Sequence, residues 1–198
     1  MKKELFKVRP AFQIEATEEP LIARTGLVLP YEMAKALKLL QIIDQELPPA
    51  GSGHGYRPSQ FVMPLILMLH DGGKTLEDLR EIKGEVSLCK LMDMEGMPAS
   101  CTVGDWLRRM SGDSRGILGL GKTNDHLVKK ILKKDSRTEY TLDNDATIIE
   151  TEKEEAQYTY KKENGYQPFL GFLSELGIIL DDEFRDGNVP PDSGRWNR

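Results

Sequence analysis

Apolar residues recur at helical spacing through roughly the first two thirds of this chain and alternate with polar residues thereafter. Residues 21–29 read as a short strand. Pro30 then opens a helix with Met33, Leu37 and Leu40 on one face. Residues 47–58, rich in Pro and Gly, form a loop. Residues 59–70 are apolar almost all round, the pattern of a buried helix, with Pro64 tolerated near its start and Asp71-Gly72-Gly73 ending it. Thr75-Leu-Glu-Asp78 resembles a capping box and starts a helix with Leu76, Leu79 and Ile82 inward. Residues 86–94 give a further short helix, closed by Glu95-Gly96-Met97-Pro98. Thr102-Val-Gly-Asp105 starts the next, with Val103, Trp106, Leu107 and Met110 as its apolar stripe.

Residues 111–121 are rich in Gly and read as a hinge, followed by a basic helix over 124–134 with Leu127, Val128, Ile131 and Leu132 inward. After Asp135 the pattern turns to β. Strands are expected within 138–150, at Tyr158 to Tyr160, over 165–173 and over 177–184, with Asn164-Gly165 as a hairpin signal. The resulting expectation is an α+β chain: mainly helical over 1–135, antiparallel β over 138–190, and an unstructured tail over 191–198. No internal repeat is evident.

Charge sharpens this division. The chain carries net charge −5, which alone argues against nucleic acid. Residues 1–137, however, hold 21 Lys/Arg against 18 Asp/Glu, while 138–198 hold 6 against 14. One part can meet phosphates and the other can gather carboxylates. Two cysteines, Cys89 and Cys101, form neither a disulfide framework nor a zinc motif. The basic N-terminus lacks a signal core, and the longest apolar run falls far short of the ~20 residues that cross a bilayer, so a cytoplasmic chain with no membrane partner is expected.

Three stretches carry candidate chemistry. The three short helices between 75 and 110 could form a helix-turn-helix-like bundle. Arg108, Arg109, Lys122, Lys129, Lys130, Lys133 and Lys134 are candidate phosphate contacts, because basic side chains release condensed counterions on binding DNA. The plain alternative is a solvated helix face. In Tyr140-Thr-Leu-Asp-Asn-Asp145, Asp143 and Asp145 stand at i and i+2, so a strand points both carboxylates to one face, as a divalent metal requires. A solvent-facing strand explains the same pair. Gly116 to Thr123 satisfies the Walker A pattern, and Gly177-Ile-Ile-Leu-Asp-Asp-Glu183 looks like a Walker B run, which raises a P-loop nucleotide-binding alternative. No strand precedes the glycines, however, and a P-loop needs one.

Taken together, several segments resemble a known family. Leu142-Asp-Asn-Asp145-Ala-Thr147 resembles the opening strand of DDE transposases of bacterial insertion sequences. Tyr158-x-Tyr160-Lys, Gly165-Tyr166-Gln-Pro168 and Phe184-Arg185-x-Gly187-Asn188 are similar to later segments of that family, in the same order. Upstream, Tyr56-x-Pro58, Leu67 to Gly73, Glu77-Asp-Leu-Arg80 and Thr102 to Arg109 look like its helical region. The resemblance implies an N-terminal helical DNA-binding region followed by the first antiparallel strands of a ribonuclease-H-like domain. It further implies Mg²⁺ held by three acidic residues, of which Asp145, with Asp143 as a second candidate, is the first. The second Asp and the Glu have no counterpart in this sequence, so strand cleavage and transfer by this chain alone are not expected. The implied partners are DNA, at the terminal inverted repeats of an element, and a second copy or a full-length transposase that the chain could inhibit.

Overall fold

In a computed structural model, residues 18–19, 21–49, 55–94, 96–112 and 114–190 are described. Residues 1–17, Gly51 and Gly53 of the 47–58 loop, and the expected 191–198 tail lie outside them. The chain is α+β. Helices α1 (Val28–Ala36), α2 (Leu39–Glu46), α3 (Pro58–His70), α4 (Leu79–Gly84), α5 (Val86–Leu91), α6 (Ser100–Gly112) and α7 (Arg115–Leu132) come first. Strands β1 (Leu142–Ala146), β2 (Ile149–Glu150), β3 (Gln157–Tyr158), β4 (Asn164–Tyr166), β5 (Phe169–Leu173) and β6 (Ile178–Glu183) follow. They build two antiparallel three-stranded sheets, ordered β1-β5-β6 and β2-β4-β3.

The helices enclose one apolar core running from Leu27 to Trp106. α3 supplies its centre, as its all-round apolar pattern predicts: Phe61, Met63 and Leu67 are buried. Trp106 of α6 stacks on Phe61, with ring centroids 4.8 Å apart and planes 4° from parallel, so it is a core residue. α4 is launched as expected. The Asp78 carboxylate accepts the backbone N–H groups of Lys74 and Thr75, each at 2.8 Å, which satisfies donors that a helix start leaves open.

Several expectations are corrected. Residues 21–29 are not a strand; they lead through a 3-10 turn, Thr25–Leu27, directly into α1. The buried face of α1 is Tyr31 and Ala34 rather than Met33, which is exposed. The apolar spacing from Met33 to Leu40 spans a break, because Lys38 adopts a left-handed conformation (φ 57°) and separates α1 from α2. Pro64 sits inside α3, a full turn beyond its opening residues.

The largest correction concerns the glycine-rich segment. It is helix, not hinge: after Ser114, at φ 61°, α7 runs unbroken across it. A Cβ on Gly116 would lie 2.5 Å from Met110 Cβ, and one on Gly119 would lie 2.6 Å from the Glu46 carbonyl oxygen. These glycines let α7 pack tightly on α6 and α2. From Leu118 onward the Walker A residues spend their backbone N–H groups inside the helix, and the segment offers no loop to cradle a phosphate. The hydroxyl of Thr123 donates back to the Gly119 carbonyl at 2.8 Å. The Walker-B-like run is strand β6, paired antiparallel with β5.

The β region keeps the expected antiparallel character but divides more finely. Asn164-Gly165 is not a turn; it lies within β4, paired with β2 and β3. A Cβ on Gly165 would sit 2.5 Å from the Ile149 carbonyl oxygen, so close strand approach explains the glycine. The β3–β4 turn instead uses Lys162 at φ 65°, and the β5–β6 turn uses Gly177 at φ 65°. The sheet meets the helices at α7, where the Asn124 amide donates to the Ile179 and Leu180 carbonyls at 3.1 and 3.3 Å.

Candidate functional site

β1 places the paired aspartates. Its pairing with β5 sets Asp143 opposite Phe172 and Asp145 opposite Leu170. In β5 the alternation is clean: Phe169, Gly171 and Leu173 are buried, and Leu170 and Phe172 face outward. Directly opposed residues share a face. Asp143 and Asp145 are therefore both exposed on the outer face, as their spacing predicts. Asp143 also accepts a hydrogen bond from the Ser174 hydroxyl. Asp182 of β6 lies opposite Leu170 and so shares that face. It is two strands from Asp145, however, and at ~4.8 Å per strand the backbones are ~10 Å apart, too far to share one ion. Among the described residues no group of three or more His, Cys, Asp or Glu could hold a metal. The two β1 carboxylates do not by themselves fit a Mg²⁺ site.

The segments 165–168 and 184–188 meet in space. Tyr166 pairs with Asp186 in a β-bridge, and its ring lies 4.9 Å from that of Phe184. Gln167 N donates to the Arg185 carbonyl at 2.8 Å, and Arg185 Nε donates to the Gln167 carbonyl at 3.2 Å. The guanidinium lies over the Phe169 ring, 4.8 Å from its centroid. Gln167 and Arg185 are buried, yet the Gln167 amide and both Arg185 Nη atoms have no hydrogen-bond partner. The sequence does not reveal this buried polar pair, because its two segments stand apart in the chain and their proximity depends on long-range pairing.

The basic candidates divide by position on α7. Lys122, Lys129 and the following Lys133 stand at i, i+7 and i+11, within ~40° of one another around the helix, and all three are exposed. Arg115 extends the same stripe by one further heptad. Lys134 is also exposed, while Lys130 is half-buried and donates to the Leu37 carbonyl at the end of α1. Arg108 is exposed and pairs with Asp105 at 2.6 Å, and Arg109 is exposed. Lysines near a helix C-terminus also complement the helix dipole, so part of this pattern serves α7 itself. The three expected helices of the 75–110 stretch are present as α4, α5 and α6, joined around Leu79, Ile82, Leu88 and Val103.

A cavity of about 180 Å³ lies elsewhere, between α2, α3 and the residues Asp93, Met94, Gly96 and Met97, with Asp44 and Arg57 also on its lining. Asp44 caps α3 there by accepting the Ser59 N–H and hydroxyl at 2.8 and 2.9 Å. Among the described residues no helix is long and apolar enough to cross a membrane.

Comparison with family models, curated proteins and solved structures finds no match.

Proposed function

We propose that this chain contacts DNA through its helical part and carries the first metal-binding aspartate, Asp145, of a DDE-type transposase. The observation that carries the reading is the exposed placement of Asp143 and Asp145 together on the first strand of an antiparallel sheet. The stripe Lys122, Lys129 and Lys133 supports the DNA contact, since a straight helix lays such cations along one line of phosphates. The joining of 165–168 to 184–188 supports it further, because both segments carry the family resemblance. Transposition needs a complete acidic triad. With one such residue, this chain is expected to bind DNA, with Mg²⁺ chemistry left to a fuller site.

The test is binding of a labelled DNA duplex by fluorescence anisotropy across a salt series. Affinity should fall steeply with salt. Replacing Lys122, Lys129 and Lys133 together by Ala should reduce the slope of log K against log salt by about 3, near one unit per phosphate contact. Asp145→Ala should leave the affinity unchanged. Salt-independent binding, or none, ends the reading.

A further inference from the structure

The cavity between α2 and α3 shares no residue with the lysine stripe or with β1. A single buried water needs only about 10–15 Å³, so a space of about 180 Å³ takes a small organic molecule. Drug-sized ligands fill roughly 300–1,000 Å³, so the occupant is smaller than those. The lining is graded. Tyr31, Met63, Pro64 and Met97 are buried and Leu40 and Met94 half-buried, whereas Arg57 and Asp93 are exposed. The interior is therefore apolar, and its three thioethers let it adjust to branched or flat shapes. Charges of both signs stand at the mouth.

Those charges decide the ligand. Asp44 accepts the Ser59 N–H and hydroxyl at 2.8 and 2.9 Å, so a carboxylate is already seated at the start of α3. Gln60 Oε1 accepts the Arg57 N–H at 2.9 Å, and Gln60 Nε2 lies beside Gly96, where a Cβ would come within 3.7 Å of it. Donors of Arg57 and Gln60 thus belong to the α3 wall. Asp93 belongs to the wall facing it, just past α5, with a left-handed backbone (φ 52°). Asn tolerates that backbone equally, so the turn does not require the charge. A lone anion would meet Asp44 and Asp93, and a lone cation would meet Arg57. A zwitterion satisfies both signs. We propose that the cavity binds a free α-amino acid with an apolar side chain. The side chain enters the Met-lined interior, the carboxylate pairs with Arg57 and the Gln60 amide, and the ammonium pairs with Asp93. This inference does not rest on DNA contact or on metal binding.

The probe is L-leucine, titrated calorimetrically against the full chain. Saturable binding is expected. Isopentylamine and 4-methylpentanoic acid each keep the side chain and one of the two charges, and each should bind at least tenfold more weakly. L-Glutamine keeps both charges but would leave its amide unpaired in the apolar interior, so it should also bind at least tenfold more weakly. These comparisons use the wild-type chain and do not depend on any variant folding. Asp93→Asn preserves the turn and Arg57→Gln preserves the α3 start, and each should weaken leucine binding at least tenfold with the ligand-free melting temperature unchanged. Absence of leucine binding overturns the proposal. So does equal binding of the amine, the acid or glutamine, or unchanged leucine affinity in either folded variant.

Discussion

The helical part and the β part of this chain solve the problem of burial differently. The helices share one cluster of 18 buried apolar residues, among them Ile43, Leu67, Leu88, Met92 and Val103 at 0% exposure. Between residues 138 and 190 the buried apolar side chains are Ala156, Phe169 and Leu173. Among the described residues, the buried side-chain polar atoms that lack a partner, on Thr159, Asn164, Gln167 and Arg185, all fall in that same stretch. Each such atom costs about 1–3 kcal/mol. The helices therefore hold the chain together. The sheets satisfy their backbone by pairing, and the face of β1-β5-β6 that carries Asp143, Asp145, Leu170 and Phe172 stays exposed. Rigidity and chemistry are thus assigned to different regions: the helical core fixes α7, and α7 carries both the cationic stripe and the anchor to β6.

The largest test of this contrast is Leu67→Ala in the centre of α3. Removing a fully buried Leu should lower stability by about 2–5 kcal/mol, read from denaturant unfolding. The equivalent truncation Phe172→Ala, on the half-open sheet face, should cost clearly less, because that ring is 37% exposed. Equal costs would mean that the sheet face is as well packed as the helical core. Hydrogen exchange offers the same comparison without substitution: outward amides of β1 should exchange faster than those in the middle of α3.

Next in size is a pair of glycines in the former Walker A pattern. Gly119→Ala forces a methyl against the Glu46 carbonyl backbone and should destabilise by about 1–3 kcal/mol, the usual range for overpacking. Gly121→Ala, with nothing within 4 Å, should stabilise α7 by up to about 1 kcal/mol through helix propensity. A phosphate-binding loop would predict harm from both. Arg185→Met sharpens the β side. Its two Nη atoms are buried without partners, so an apolar replacement of similar length should leave thermal stability unchanged or raised. A clear loss would show that the Nε hydrogen bond to the Gln167 carbonyl and the contact with the Phe169 ring outweigh the unpartnered Nη atoms.

Much of the architecture was legible because its signals are local. The all-apolar run of α3, the Thr75 to Asp78 start of α4 and the alternation of the C-terminal strands each depend on neighbours within a few residues. The shared face of Asp143 and Asp145 followed from strand period alone. The misread glycines have one physical origin. Gly116, Gly119 and Gly165 are small because another backbone passes close by, and a single sequence does not reveal which one. Glycine was therefore read as freedom (hinge, loop, hairpin turn) where it provides contact. The burial of Lys130 against the end of α1, and the meeting of Gln167 with Arg185, were hidden for the same reason.

The smallest expected effect concerns pH and separates the two regions by their carboxylates. Backbone hydrogen bonds from Thr75 and Lys74 hold the Asp78 carboxyl below its ordinary value of 3.8. A carboxylate with a lowered folded pKa contributes stability above its unfolded pKa and loses it as pH falls through the folded value. Asp78 should thus support the helical part at neutral pH and lose that support progressively as pH falls below about 4. Asp78→Asn should remove this dependence, leaving a shallower fall in melting temperature between pH 5 and pH 3. Asp143 and Asp145 lie outside this network, and Asp143→Asn/Asp145→Asn should leave the Asp78-dependent loss in place. An Asp78→Asn variant whose melting temperature tracks the wild type throughout would mean that the α4 start contributes nothing measurable, and the acid sensitivity of the chain would then have to be sought in the sheet.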